Sequence, residues 1–282
     1  MSYKTILVHV DQSWHAPARI RIAAQLAAAE KAHLIGAAMT GISRYLYRQT
    51  HGEITATIVA DQVDFLYQRA EDALAQFERI ARECDVRSYE RRLLNDDYHG
   101  GLCLQARYCD LVVLGQSDPD EAQGHILSDL PEYVVLNSGH PVLIIPHAGE
   151  FKSVGERVLV AWDGSMEATR AVNAAIPLLQ RAGNVVLAIF DPPAGPVDPE
   201  QHGEEPGADI ALFLARHDVK VGVKHQITSN DVGNALMSLA ADTDSDLIVM
   251  GGYGHTRFRE VMLGGVTRTV LETMTVPVLM SH

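Results

Sequence analysis

Apolar positions in this chain gather into short unbroken runs, separated by longer segments with helical spacing. The runs Ile6–Val10 and Val158–Trp162 show no polar alternation, which predicts strands buried on both faces, as in a parallel sheet. An alanine-rich segment follows each run, and its spacing predicts the helices Ala16–Glu30 and Met166–Arg181. Strands that alternate with helices predict right-handed βαβ units and a doubly wound parallel sheet.

The same alternation continues through the rest of the chain. Further strands are predicted at His33–Met39, Arg87–Leu93, Pro141–Pro146, Asn184–Phe190, Val219–Ile227 and Pro277–Ser281. Further helices are predicted at Ile58–Glu83, Tyr98–Tyr108, Ala208–Asp218 and Asp231–Ala241. The segment Asp191–Gly207 is rich in proline, glycine and acidic residues, which predicts a mobile loop.

Three features of the first half recur in the second half. They are Asp11-Gln-Ser and Asp163-Gly-Ser after the first apolar run, Cys109-Asp-Leu-Val-Val-Leu-Gly and Ser245-Asp-Leu-Ile-Val-Met-Gly, and the Pro-Val-Leu stretches at Pro141 and Pro277. The first pair lies 152 positions apart and the other two pairs 136 positions apart. Such self-similarity predicts two copies of one domain in tandem. We place these domains at residues 1–148 and 155–282.

Composition narrows the function classes. Of the 282 residues, 47% are hydrophobic and 21% charged, as in ordinary globular proteins, and the net charge of −13 argues against nucleic acid or an anionic membrane as a partner. We see neither a signal peptide nor a run of 18 apolar residues, so we expect a cytoplasmic protein. The cysteines Cys84, Cys103 and Cys109 form no CxxC motif, and we expect reduced thiols.

A glycine-rich stretch in the second half is the main candidate for chemistry. Its glycines follow a predicted strand or precede a predicted helix that begins at Val266 or Thr267, and they are Gly251, Gly252, Gly254, Gly264 and Gly265. Glycines permit close approach of the backbone to an oxyanion, and N–H groups at a helix N-terminus bind phosphate. Arg257 and Arg268 could neutralise phosphate charge. From these residues alone, a phosphate loop and a set of tight turns both remain open.

The spacing Gly-x2-Gly-x9-Gly of Gly251, Gly254 and Gly264 resembles the ATP-binding loop of the universal stress protein family. The resemblance covers both halves. It implies two tandem doubly wound domains, each a five-stranded mainly parallel sheet flanked by helices, of the adenine nucleotide alpha hydrolase-like type. It also implies ATP, alone or with Mg²⁺, as the ligand of the second domain. The family usually has Ser or Thr after the third glycine, where this chain has Gly265.

Carried over residue by residue, the resemblance implies a nucleotide site in the second domain. Asp163 would lie beside the ribose and adenine, Ala161 and Ile189 would line the adenine slot, and Met250 would flank it. The full set of implied contacts is Ala161, Asp163, Ile189, Met250, Gly251, Gly254, His255, Gly264, Gly265, Val266 and Thr267. Neither a Rossmann fingerprint after the first strand nor a Gly-x4-Gly-Lys-[Ser/Thr] P-loop is present.

The first half serves as an internal control. At the offset of 136, Asp118 replaces Gly254, Ser128 replaces Gly264, and Asp129 replaces Gly265. Carboxylates repel phosphate and their Cβ atoms block close approach of the backbone. We therefore expect no ATP in this mode in the first domain.

Other groups of residues are weaker candidates for a functional site. His9, His15, His99 and His125 could converge on a metal, but none has metal-ligand spacing and ordinary polar histidines are the favoured interpretation. Asp163 and Asp191 end neighbouring predicted strands and could hold Mg²⁺, or could simply be solvated. Ser165 could be a nucleophile, but no base is placed beside it, and we interpret it as a helix cap.

Three functions remain open. The first is a nucleotide-binding stress protein that acts as a regulatory or signalling module and is at most a slow ATPase. The second is a nucleotide-free stress scaffold that acts through protein partners. The third is an enzyme of another class on this fold, such as an adenylyl transferase, for which no catalytic group is evident. The resemblance also implies an internal pseudo-dimer of the two domains, and we consider homodimerisation a weaker possibility.

Overall fold

The computed structural model describes residues 2–42, 53–118, 120, 129–191, 205–228, 231–254 and 265–282, with the side chains of 53–61 excepted. Some sequence predictions therefore lie outside the described residues. They concern most of the loop Asp191–Gly207, the loop segment 255–264 with His255 and Gly264, and His125.

By its internal contacts the chain divides into two compact units, Ser2–His140 (the first unit) and Pro141–His282 (the second unit). The strands are β1 Thr5–His9, β2 His33–Met39, β3 Tyr89–Leu94, β4 Leu111–Gly115, β5 Val142–Ile145, β6 Arg157–Ala161, β7 Asn184–Asp191, β8 Val221–Ile227, β9 Leu247–Gly251 and β10 Val278–Ser281. The described helices are α1 Ala16–Glu30, α2 Glu53–Glu83, α3 Tyr98–Ala106, α4 Leu130–Asn137, α5 Met166–Leu179, α6 Ala208–Arg216, α7 Val232–Asp242 and α8 Gly265–Thr273.

Each unit is built on a mostly parallel sheet. In the first unit the strands lie in the order β3-β2-β1-β4, and in the second in the order β5-β10-β9-β6-β7-β8. The pairs β1–β2, β1–β4, β6–β7 and β6–β9 are parallel, while β5 and β10 pair antiparallel. This arrangement confirms the predicted fold class, a mainly parallel α/β fold that occurs twice in one chain; each repeat supplies five strands, β1–β5 and β6–β10, and β5 of the first repeat pairs with β10 in the second unit. The predicted domain boundaries, 1–148 and 155–282, stay a prediction.

The predicted element bounds are accurate where burial and helix signals agree. The helix Ala16–Glu30 and the strand His33–Met39 are correct at both ends. The largest error concerns α2, which begins at Glu53 rather than at the predicted Ile58. Within the described ranges, no helix combines the length and apolar character needed to cross a lipid bilayer.

The central strands lack alternation because helices cover both faces of each sheet. In β4 and β9, the first four residues of each strand are buried. The outer strands differ between the units. In the first unit Phe77 of the long helix α2 is fully buried and contacts Tyr89 of β3 edge to face, with 6.1 Å between the ring centroids. In the second unit α6 has nine residues, and β8 is exposed along all but its first residue.

A carboxylate fixes the amino end of the first strand in each repeat. In the second unit Asp246 accepts hydrogen bonds from the backbone N–H groups of Gly155, Glu156 and Arg157, with N–O distances of 3.0–3.1 Å. In the first unit Asp110 accepts from Lys4 and Thr5 at 2.6 and 2.9 Å. The recurring Asp-Leu-[Val/Ile]-Val motif therefore carries a structural role, which is to join two neighbouring strands.

We expect Asp246→Asn to lower the free energy of unfolding by about 2 kcal/mol, because charge-assisted hydrogen bonds are lost and an amide N–H faces backbone donors. Urea denaturation measures this change. The control is Asp242→Asn, which alters an exposed carboxylate at the end of α7. Equal stability of the two variants would contradict the role assigned to Asp246.

Candidate functional site

A cavity of about 250 Å³ lies in the second unit at the carboxyl ends of β6, β7 and β9. Helices α7 and α8 begin beside it. Its walls are formed by Ala161, Trp162, Asp163, Ser165, Phe190, Val232, Leu236, Met250, Gly251, Gly254, Gly265, Val266 and Thr267. The carboxyl ends of parallel strands are where doubly wound folds bind their ligands.

Eight of the nine described candidate residues line this cavity. They are Ala161, Asp163, Met250, Gly251, Gly254, Gly265, Val266 and Thr267. Ile189 does not line it. Its side chain is buried towards Gly207, whose added Cβ atom would meet Ile189 Cδ1 at 2.6 Å. Alternate residues of a strand face opposite sides of the sheet, so its neighbour Phe190 faces the cavity instead. His255 and Gly264 lie outside the described residues.

Five residues of the cavity wall were not predicted from the sequence. They are Trp162, Ser165, Phe190, Val232 and Leu236. Two signals could have found some of them. Strand alternation places Phe190 opposite to Ile189, and an i, i+4 spacing on α7 places Val232 and Leu236 on one helix face. All of these residues except Ser165 add apolar surface to the cavity wall.

Two of the loop glycines lie close to the first turn of α5. A Cβ atom on Gly251 would lie 2.6 Å from the backbone nitrogen of Ala168 in α5. A Cβ atom on Gly254 would lie 2.8 Å from Glu167 Oε2. A Cβ atom on Gly265 would meet nothing within 4 Å. Packing against the backbone of α5 therefore requires glycine at position 251, whereas a side chain at position 254 would meet the mobile carboxylate of Glu167, and position 265 has room for a side chain.

Thr267 links the two segments that flank residues 255–264. Its side chain is buried, and its Oγ1 accepts a hydrogen bond of 3.1 Å from the backbone N–H of Tyr253. Tyr253 has a φ of 58°, which is uncommon for a residue with a side chain. The hydroxyl of Thr267 thus fixes the start of the glycine stretch against the first turns of α8.

A short turn orients the carboxylate of Asp163 at the end of β6. Its Oδ1 accepts a hydrogen bond of 3.0 Å from the backbone N–H of Ser165. Ser165 in turn caps α5, because its Oγ accepts from the N–H of Ala168 at 3.1 Å, which confirms its interpretation as a helix cap. Asp191 is held differently, since its Oδ2 lies 2.6 Å from His225 Nε2. Among the described residues, no group of three His, Cys, Asp or Glu side chains is arranged to hold a metal ion.

In the first unit, larger side chains stand at the positions that line the cavity in the second. His9 replaces Ala161, and Tyr98 replaces Val232 at the start of the following helix. The two rings meet edge to face, with 6.4 Å between centroids. The cavity at the ends of β1 and β2, lined in part by Asp11, Met39 and Tyr98, has a volume of about 20 Å³.

Side chains of the first unit form polar pairs at positions that correspond to the cavity of the second unit. The buried Arg19 stands where the second unit has Ala171, and its Nη2 lies 3.0 Å from Asp11 Oδ1. Its Nε donates a hydrogen bond of 2.9 Å to the backbone oxygen of His9. Asp118, at the position of Gly254, lies 3.2 Å from His15 Nε2. Both carboxylates therefore have partners within the unit.

Burial controls the charge state of this cluster. Burial lowers the pKa of His9 from 6.5 to about 4; Asp11 opposes the shift and Arg19 adds to it. For Asp11, burial raises the pKa, but the charges of Arg19 and His9 and hydrogen bonds from Ser13 outweigh it and hold the pKa well below its usual range. The imidazole of His9 is therefore neutral beside a paired carboxylate at pH 7.

The three cysteines are free thiols, and none is activated. Burial raises the pKa of Cys103 to about 11 and that of Cys109 to about 12. Burial also raises the pKa of the half-buried Cys84. Because the thiolate is the nucleophile, none of these residues is poised for covalent chemistry.

The fold and the cavity define a class of protein, a tandem α/β protein with a glycine-lined cavity at the strand ends. Similarity to a known protein family agrees with this class. The model of the Universal stress protein family matches residues 2–146 and again residues 155–282. The chain belongs to the universal stress protein family and carries two of its domains.

Individual relatives support this assignment. Universal stress protein Slr1230 of Synechocystis is 29% identical over 176 residues, which cover 60% of this chain and 57% of that protein. A universal stress protein from Archaeoglobus fulgidus shares the fold with a TM-score of 0.75 at 16% identity, covering 98% of this chain and 94% of its own. A universal stress protein solved with cAMP, 23% identical, covers 51% of this chain and 97% of its own, and its TM-score of 0.37 is too low to inform this site.

We expect the first unit to lose stability as the pH falls from 7 to 5, because the folded protein keeps His9 neutral while the unfolded chain binds a proton near pH 6.5. Relative to His9→Gln, the wild type should lose about 2 kcal/mol more over this range. Urea denaturation at each pH measures the difference. At pH 8, where His9 is neutral in both the folded and the unfolded state, the difference in stability between the wild type and His9→Gln measures the effect of packing alone. Parallel pH profiles would contradict this account.

Proposed function

We propose that the second unit binds one adenine nucleotide, ATP with Mg²⁺, and that the chain acts as a regulatory or signalling module of the stress response. The observation that carries this proposal is the cavity at the ends of β6, β7 and β9, which is lined both by glycines and by apolar side chains. Its volume of about 250 Å³ lies near the lower end of small-molecule sites, roughly 300 Å³.

The glycines that line the cavity suit phosphate. Gly251 and Gly254 bring backbone close to the cavity, and Gly265 begins α8 beside it. The first N–H groups of a helix have no partner within the helix, and they favour an anion. Mg²⁺ would enter with the phosphates, since the described residues hold no cluster of three metal-binding side chains.

The apolar lining residues and Asp163 suit a purine and its ribose. Ala161, Phe190, Val232, Leu236 and Met250 supply an apolar wall on which a flat base can lie. The carboxylate of Asp163, oriented by the N–H of Ser165, lies at the rim and can accept hydrogen bonds from ribose hydroxyls. Ile189 takes no part in this proposal.

The alternative is a nucleotide-free scaffold that acts through protein partners, and the absence of a side-chain donor at Gly265 favours it. We assign no catalytic residue, and a slow ATPase is the most that we propose. We further propose a cytoplasmic location and an internal pseudo-dimer of the two repeats. Sedimentation of the purified chain tests whether whole chains also form a homodimer.

Calorimetry of the full chain with ATP and Mg²⁺ tests the proposal. The wild type should bind one nucleotide with a Kd on the order of micromolar. Gly254→Asp should weaken binding by at least about 100-fold, because it copies Asp118 of the first unit and places a second carboxylate against Glu167. Gly254 has no positive φ, so the variant acts through space and charge rather than backbone strain.

Gly222→Asp is the matched control. It makes the same change on β8 of the same unit, where an added Cβ atom meets nothing within 4 Å. This variant should bind ATP like the wild type. No binding by the wild type would overturn the nucleotide proposal in favour of the scaffold, and equal losses in both variants would show that Gly254→Asp acts through general destabilisation.

A further inference from the structure

A carboxylate lies against two of the glycines that line the cavity. Glu167 stands in the first turn of α5, and its side chain is only 16% exposed. Its Oε2 lies 2.8 Å from the Cβ position of Gly254, and its own Cβ lies 2.9 Å from the Cβ position of Gly251. Glu167 does not line the cavity, so its charge acts on a ligand through the thin layer of the glycine backbone.

The first unit shows that the fold brings the positions of Glu167 and Gly254 together. His15 corresponds to Glu167 and Asp118 corresponds to Gly254, and the two side chains form a pair at 3.2 Å. In the second unit the helix position bears the carboxylate and the loop position bears no side chain. A cation nearby, Arg170 Nη1, lies 3.9 Å from Glu167 Oε1 and is itself half exposed, so it offsets little of the charge.

A half-buried carboxylate at this place changes the affinity according to the charge of the ligand. It repels a phosphate bound at Gly251 and Gly254, and salt screens this repulsion less than it screens one between two fully exposed charges. Each additional phosphate group increases the repulsion, while an uncharged nucleoside feels none. A divalent cation bound to the phosphates reverses part of the effect.

We infer that Glu167 is a specificity-determining residue, which sets the phosphate charge that the site accepts. It disfavours metal-free di- and triphosphates relative to the monophosphate and makes binding of the triphosphate dependent on Mg²⁺. This inference rests on the proposed nucleotide site. It concerns a residue that contributes charge without contacting the base or ribose.

The test is calorimetry of the full chain with adenosine, AMP and ATP, each with Mg²⁺ and with EDTA. Compared with the wild type, Glu167→Gln should bind metal-free ATP at least about tenfold more tightly and AMP about threefold more tightly. Its affinity for adenosine should not change. The ratio between the affinities for ATP with and without Mg²⁺ should shrink correspondingly.

Asp209→Asn is the matched control, because Asp209 is an exposed acid in the first turn of α6 in the same unit. Both variants lose a favourable interaction between a carboxylate and a helix N-terminus, so they should differ little in stability. Asp209→Asn should bind all three ligands like the wild type.

Two results would overturn the inference. If Glu167→Gln changes the affinities for adenosine and ATP by the same factor, or changes neither, the charge of Glu167 does not select the ligand, although the nucleotide site itself stands. If neither the wild type nor Glu167→Gln binds any of the three ligands, the proposed function fails and this inference fails with it.

Discussion

The parallel pairing of β6 with β9 fixes the position of every other part of the site. Val158, Leu159 and Val160 lie opposite Leu247, Ile248 and Val249, and Asp246 fastens the amino ends of the two strands together. This register brings Ala161 and Met250 side by side at the carboxyl ends. Gly251 then packs against the backbone of α5 so closely that any side chain would collide with it. The cavity is the space left between this junction and the first turns of α7 and α8.

The two units show how one topology supports two different interiors. In the second unit small residues at Ala161 and Gly254 leave the strand ends open. In the first unit a histidine and an aspartate replace them, and Tyr98 and Arg19 fill the space from the neighbouring helices. None of these changes alters a strand or its register. The interior of the site is therefore set by side-chain volume and charge, independently of the fold.

The sequence predicted much of the fold because its signals were local and repeated. Buried strands, alanine-rich helices and the recurring Asp-Leu-[Val/Ile]-Val motif each follow from short-range patterns. The site was predictable where strand ends and glycine spacing determine it, as at Asp163 and Gly254. Ile189 lies outside the cavity wall because it is on the other face of β7, and the period of two assigns that face only when the strand's first inward residue is known. Glu167 could not have been found, because its proximity to Gly254 depends on the packing of α5 against β9.

The aspartate that follows the first strand of each repeat shows why a shared residue does not establish a shared ligand. Asp11 and Asp163 both accept a hydrogen bond of 3.0 Å from the serine N–H two residues later, which shapes the turn into the next helix. That role needs the carboxylate whether or not a ligand is present. The surroundings of the two carboxylates differ: Asp163 is exposed at the rim of a cavity, whereas the side chain of Asp11 is only 12% exposed and is paired with Arg19. Removing a carboxylate from water without a partner costs free energy. In the first unit, where the corresponding cavity is nearly filled, Asp11 therefore requires a cation beside it. Arg19 supplies that cation. The turn that Asp11 forms with Ser13 is enough to explain an aspartate at this position, without a ligand.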